Sequence, residues 1–445
     1  MIGTYSYRHP MFQKNQEAPR RVDGYATDLL KEKSFEFLDE AIESKDPFFL
    51  MIATVAPHAS SDRGIEDDLV GEEPKLDKNV GNAPIPAPRH QKLFPDITVP
   101  NPHKNVNPGV ASGGSWVREM PLLSDAVMKS NNDFYRLRLQ TLQAVDELVR
   151  DTVQRLEKAG ILDNTYIIYS TDNGFHIGHH RLLPGKRSAY EEDINIPMII
   201  RGPGVPKGKK TDIITSHTDV VPTILGWANI PLRPELDGKP MPTKADELAT
   251  ETNMELSQVE HWGGGNFAGA FAKGTVLGIN PEHLKNTYKA IRVVSKRYSL
   301  QYTVWCDGSH ELYDMTTDLG QMNNRLVDSK DDSAKAHATN GSDTTKRDLG
   351  GTGGSIKIGD QDVTVNKLQE RLDLLLLVTK DCQRESCRSP WGAVFKDGTV
   401  KTLKDALKTE HDQFFKDQKK KVKFDECTQG YIPEKEGPMW TGRGS

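Results

Sequence analysis

Asp172 and Asn173 stand side by side, and Gly174 follows at once. Adjacent oxygen donors suit a hard cation such as Ca²⁺ or Mg²⁺. Gly174 allows the backbone to turn sharply there. Lys186, in Pro184-Gly185-Lys186, is placed to neutralise an anionic ester oxygen. His58, at the end of Ala56-Pro57-His58, is suited to protonate a leaving alkoxide or to bond to it. Taken singly, each has a plainer reading. Asp-Asn-Gly is a common turn signature, a lone histidine after a strand is usually a satisfied polar group, and a lone lysine is usually surface. His176, His179 and His180 crowd the same stretch, but no Cys/His zinc spacing accompanies them, which favours substrate-cleft or structural roles.

These residues need a scaffold that delivers them to one place. Pro47 to Ala56 is a continuous apolar run that reads as a strand buried on both faces, with His58 just past its end. Thr165 to Ser170 reads as a second buried strand, ending in Asp172-Asn173-Gly174, and Ile196 to Ile200 as a third. Helices are expected before them at 29–43, capped by Thr27 or Asp28, between the first two at 132–160 with Gly160 as its stop, and after them at 218–225. In the long helix Leu142, Val145, Val149, Val153 and Leu156 recur at helical spacing. Strand–helix alternation predicts an α/β fold with a mostly parallel sheet flanked by helices, and ligands in such sheets collect beyond the carboxyl ends of strands. Residues 59–130 are polar and aperiodic and are expected to form a surface excursion that shapes a cleft. Past about residue 240, short strands (288–294, 298–305, 311–315) and a helix at 368–378 predict a smaller α+β subdomain. A low-complexity insertion covers roughly 329–360.

Composition narrows the class. The chain has 445 residues and a net charge of −5, and its only strong basic run is Lys419 to Lys423. That excludes a dedicated nucleic-acid binder. The longest apolar run, Phe48 to Ala56, is far short of a membrane span, and no leader-type apolar segment follows Met1. Cys382 and Cys387 enclose four polar or charged residues, which suits an exposed loop closed by a disulfide. Asn340-Gly341-Ser342 is a glycosylation sequon, and both features favour an oxidising compartment.

The order of these pieces resembles the sulfatases. It runs from Asp46-Pro-Phe-Phe-Leu through Ala56-Pro57-His58, then Tyr169-Ser-Thr-Asp172-Asn173-Gly174-Phe-His-Ile-Gly-His-His-Arg-Leu. Gly185-Lys186, Tyr190-Glu-Glu-Asp-Ile-Asn-Ile-Pro197 and Arg201-Gly-Pro-Gly-Val205 follow. Within that family the fungal arylsulfatases and the N-acetylglucosamine-6-sulfatases are most similar, and Pro84 to His90, Glu311 to Asp318 and the Cys382–Cys387 loop share the likeness. The resemblance implies an alkaline-phosphatase-like fold and hydrolysis of a sulfuric ester, aryl or sugar, glycosaminoglycan-type sugars included. It implies that Asp172 and Asn173 are one pair of Ca²⁺ ligands, that Lys186 contacts the sulfate, and that His58 touches the sulfate and gives the leaving group its proton. His180 matches a substrate-contacting histidine of some members.

The family also carries an acidic metal-binding pair on its first strand and a Cys/Ser-x-Pro-x-Arg motif whose Cys or Ser becomes the formylglycine nucleophile. This chain has no such motif, and no cysteine before Cys306. It is therefore expected to be an inactive, N-terminally truncated form. It would comprise a catalytic domain over 1–245 that lacks its first strand and a subdomain over 246–445, with apolar surface exposed on the strands at 48–56 and 166–170. A secreted or lysosome-like lumenal location is expected of the full-length protein. Two rivals stay open: a non-catalytic remnant that binds anions or glycans, and a phosphate-ester hydrolase of the same superfamily.

Overall fold

The computed structural model describes residues 5–62, 83–249, 255–263, 286–326 and 354–440. The sequon at Asn340 and most of the low-complexity insertion lie outside the described residues.

A two-residue ladder, β1 (Met11–Phe12) with β2 (Arg20–Arg21), precedes helix α1 (Ala26–Ser44). Its N-cap is Tyr25, which makes no side-chain cap bond, and Asp28 instead sits in the first turn against the positive end of the helix dipole. Helix α2 (Asp125–Lys158) is 34 residues long, about 51 Å at 1.5 Å per residue. It begins seven residues before the expected start, at Asp125, behind the N-cap Ser124, whose side chain accepts from the Val127 amide. Gly160 stops it with φ of 71°. Its buried positions include Phe134, Leu137, Thr141, Ala144 and Leu148, and of the expected stripe Val145 and Leu156 are buried while Leu142, Val149 and Val153 are half-buried. Two ion pairs hold α1 along α2, Lys31–Asp151 at 3.1 Å and Arg155–Asp39 at 2.5 Å.

Strand β3 (Ile167–Tyr169) carries the Asp-Asn-Gly loop at its end and pairs antiparallel with β4 (Ile199–Arg201). The expected parallel ladder is not formed: every strand pairing among the described residues is antiparallel. The segment from Pro47 to Val55 has no ladder partner, and Phe49 and Met51 are 74% and 76% exposed. An apolar run can specify a strand, but burial on both faces depends on neighbours that the run does not contain. The expected exposed apolar surface is present at Phe49, Met51 and, more modestly, Tyr169. Helices α3 (Glu191–Ile194), α4 (Val220–Trp227) and α5 (Ala245–Ala249) are short.

The later part holds a four-stranded antiparallel sheet in order β5 (Leu256–His261), β6 (Tyr288–Ser295), β7 (Tyr298–Trp305), β8 (His310–Asp314). Period-two alternation gives it two buried faces. Ile291, Val293, Leu300, Tyr302 and Leu312 pack with helix α6 (Val365–Thr379), which follows the hairpin β9 (Ser355–Ile358) and β10 (Gln361–Thr364). Tyr288, Ala290, Trp305 and Tyr313 face the other way, onto Trp116, Met120, Leu182 and Tyr190. Disulfides join Cys382 to Cys387, as expected, and Cys306 at the end of β7 to Cys427. The second closes a separation of 121 residues and so removes far more freedom from the unfolded chain. No described helix is long and apolar enough to cross a membrane.

Glu311 on β8 is fully buried between the two cores. Its Oε1 accepts from Tyr190 Oη at 2.9 Å and Tyr313 Oη at 3.2 Å, and burial pushes its pKa up to about 7. Between the unfolded value of 4.5 and about 7 the folded chain holds a proton that the unfolded chain has lost. Stability from this group is therefore present below that window and falls as pH rises through it, by roughly 3 kcal/mol at full effect. Urea midpoints at pH 5 and pH 8 for wild type and Glu311→Gln test this. The wild type is expected to lose about 2 kcal/mol more than the variant over that interval. Equal losses would show that Glu311 is not held protonated.

Candidate functional site

The loop after β3 is shaped by what it packs on. Gly174 N donates to Asp193 O at 2.8 Å and Phe175 N to Glu192 O at 2.7 Å. A Cβ on Gly174 would meet Glu192 O at 1.9 Å, so only glycine allows this approach. One residue pair further, His176 and Gly185 exchange backbone bonds at 2.9 and 3.0 Å. This return brings Lys186 back beside Asn173, where Nζ donates to Oδ1 at 3.1 Å. Asn173 Nδ2 donates to Gly174 O at 2.6 Å, which orients the amide oxygen toward the lysine. Asp172 is exposed.

The buried Asp193 carboxylate fixes the loop from beneath. It accepts from His176 Nδ1 at 2.9 Å and from Ser188 N and Oγ, both at 2.7 Å. Adjacent Glu192 accepts from Asn105 Nδ2 at 2.6 Å, and burial raises its pKa.

His58 reaches the same site from the other segment. Its amide donates to Val55 O at 2.8 Å, and its carbonyl accepts from Tyr7 Oη at 2.8 Å. The ring stacks on Tyr5 with centroids 4.0 Å apart and bonds through Nδ1 to Ala59 O at 2.9 Å. A carbonyl partner requires the proton on Nδ1, leaving Nε2 as the functional nitrogen. Partial burial lowers the His58 pKa, and the positive charges of Lys186 and Arg138 lower it further. The Ala59 bond and the negative charge of Asp172 oppose this. His58, Lys186, Asp172 and Asn173 thus form one constellation, as their order in the chain suggests.

His180 is elsewhere. It is 1% exposed, its ring stacks on Tyr190 with centroids 4.0 Å apart, and Nδ1 bonds to Ser112 Oγ at 2.9 Å. Burial lowers its pKa to about 3. His180 and Arg181 both take positive φ, and Arg181 donates to the carbonyls of Pro108, Met120 and Gly109, each at 3.0 Å. This pair pins the 105–120 segment to the loop. His179 accepts from Ile177 N at 3.0 Å, and burial drops its pKa to about 4. No group of three or more metal-ligating side chains occurs among the described residues, so the three histidines make no zinc site there.

The sequence reading missed Arg138 and Asp193. Arg138 had one legible signal: it stands four residues after buried Phe134 and three before buried Thr141, a cation on the inward side of a helix.

Comparison with known proteins gives a consistent picture. The sulfatase family model matches residues 3–230. Sulfatase ppz1 of Metarhizium majus (strain ARSEF 297) is 38% identical over 416 residues, 93% of this chain and 80% of that protein. An arylsulfatase of Volvox carteri is 32% identical over 436 residues, 93% of this chain and 60% of its own length. The Homo sapiens N-acetylglucosamine-6-sulfatase is 32% identical over 317 residues, 67% of this chain and 52% of that protein. The chain thus spans between half and four fifths of these relatives. A solved structure with its substrate D-glucosamine-2-N,6-O-disulfate is 22% identical, with a TM-score of 0.48, over 74% of this chain and 70% of that one.

Gly174→Ala tests the packing beneath the loop. The close approach to Glu192 O predicts a loss of at least about 2 kcal/mol in urea unfolding. An unchanged midpoint would show that the loop relaxes freely.

Proposed function

We propose that this chain, which belongs to the sulfatase family, provides the anion-binding and proton-donating half of a sulfate-ester hydrolase site. The observation that carries this reading is the Lys186 Nζ bond to Asn173 Oδ1 at 3.1 Å, beside exposed Asp172 and within the electrostatic reach of His58. Each residue takes a definite part. Lys186 neutralises the non-bridging sulfate oxygens. His58, held by Ala59 through Nδ1, takes up a second proton at Nε2 when the bound anion offsets the nearby cations, passes it to the departing alkoxide or phenoxide and returns to the neutral form. Asp172 and Asn173 are the chain's ligands for Ca²⁺. Their oxygens fit a hard cation, and Asn173 already directs its amide oxygen at a positive group, though two donors leave most of a six-to-eight-fold shell to others. When bound, Ca²⁺ would neutralise charge on the sulfate.

The substrate is an aryl sulfate or a sugar 6-O-sulfate, by similarity to relatives named arylsulfatase and N-acetylglucosamine-6-sulfatase. Two disulfides favour an oxidising location, secreted or lumenal, and one relative is named an extracellular sulfatase. A second reading, sulfate binding without turnover, is favoured by one feature: no Cys/Ser-x-Pro-x-Arg segment, source of the family's formylglycine, occurs in these 445 residues.

Calorimetric titration with Ca²⁺ and with inorganic sulfate, alongside an assay on p-nitrophenyl sulfate, tests both readings. Ca²⁺ binding should fall at least ten-fold in Asp172→Ala, and sulfate binding should fall by roughly ten-fold in Lys186→Ala. The His58 pKa, followed by NMR, should lie below 6.5 in the free chain and rise when sulfate offsets the nearby cations. Turnover selects the hydrolase, and binding without turnover selects the second reading. Failure to bind sulfate sinks both, and phosphate-ester turnover with Zn²⁺ would move the chain to the phosphatase side of the superfamily.

A further inference from the structure

Arg138 lies between the two segments that build the site. One guanidinium nitrogen, Nη1, donates to Pro57 O at 3.0 Å, at the turn that carries His58. The guanidinium also lies 4.1 Å above the ring of Phe175, in the loop that carries Asp172 and Asn173. It pairs with no carboxylate among the described residues. That sets it apart from Arg89, Arg155 and Arg371, each of which holds at least one carboxylate. Burial pulls its pKa down to about 10, and the side chain that opposes this is the phenol of Tyr7, not a carboxylate. A guanidinium has five N–H donors, and the Pro57 carbonyl uses one. The side chain as a whole is half-buried, so it is not closed off on every side.

A desolvated cation without a counter-charge is costly unless something anionic comes to it. The charge of Arg138 is felt at His58, in the same sense as that of Lys186. The stack on Phe175 and the Pro57 bond fix the plane of the fork, which costs little further entropy when it closes on an oxyanion.

We propose that Arg138 is an additional anion-binding residue of this site, presenting its unused N–H groups to the sulfate oxygens of the substrate opposite Lys186. The assignment rests on the sulfate-binding reading above and extends it to a residue on α2. Arg138 thereby does two things: it ties the His58 turn to the Asp172 loop, and it supplies a second fixed positive charge where a tetrahedral dianion or monoester sulfate would lie.

The test compares the intact chain with Arg138→Gln and Arg138→Lys. Inorganic sulfate is titrated calorimetrically, Ca²⁺ binding and thermal unfolding report folding, and the His58 pKa is followed by NMR without sulfate. Arg138→Gln is expected to weaken sulfate binding roughly ten-fold or more, with Arg138→Lys in between. The His58 pKa should rise toward its ordinary value in Arg138→Gln and stay low in Arg138→Lys, a change that a merely structural role would not produce. If the folded glutamine variant binds sulfate as tightly as wild type while Lys186→Ala does not, Arg138 is no anion ligand and the sulfate site stands. If wild type itself binds no sulfate, both assignments fall. Should the glutamine variant not fold, the lysine variant decides: wild-type sulfate affinity with a single ammonium would overturn the role of the fork.

Discussion

The site depends on a backbone return. His176 and Gly185 exchange two hydrogen bonds, and this closure carries Lys186 across to Asn173, thirteen positions earlier. Two backbone bonds would not hold such a loop in water, where each is worth only about 1 kcal/mol net. Asp193 makes the difference. Its buried carboxylate collects bonds from His176, one end of the return, and from both the amide and the hydroxyl of Ser188, three residues past its other end at Gly185. Hydrogen bonds to a charged acceptor are the stronger kind. Gly174 then lets the Asp172-Asn173 end press against the Glu192 carbonyl, where any side chain would collide.

That anchor is braced from the C-terminal sheet. Asp193 belongs to α3, and Tyr190, just before this helix, donates to Glu311 on β8. Gln321 Oε1 accepts from Glu191 N at 2.7 Å, and Asn286 donates to Arg187 O at 2.7 Å. The smaller sheet is therefore a wall against which the site loop is set, and its face bearing Tyr288, Trp305 and Tyr313 is apolar for that reason. The exposed run at Phe49 and Met51 shows the contrast: a segment of similar composition, with no such wall, keeps its side chains in solvent.

Electrostatically the site is short of negative charge. Lys186 and Arg138 both act on His58, while Asp172 alone opposes them. Such an arrangement, together with partial burial, holds the His58 pKa below its ordinary value, and on the reading proposed above an anion beside it would oppose that shift.

Local information in the chain determined a good deal. Residue types and order marked His58, Asp172, Asn173 and Lys186 as one group. Helical periodicity marked the body of α2, alternation marked β6 and β7, and the short spacing of Cys382 and Cys387 marked their disulfide. These signals act over a few residues, where capping, turn and strand preferences operate. The tertiary structure decided the rest. It buried His180 behind Tyr190, joined Cys306 to Cys427, turned Arg138 toward Pro57, and left the run at 48–55 without a ladder. Each outcome depends on which distant surface meets a residue and removes its water, and no pattern confined to a dozen positions encodes that meeting.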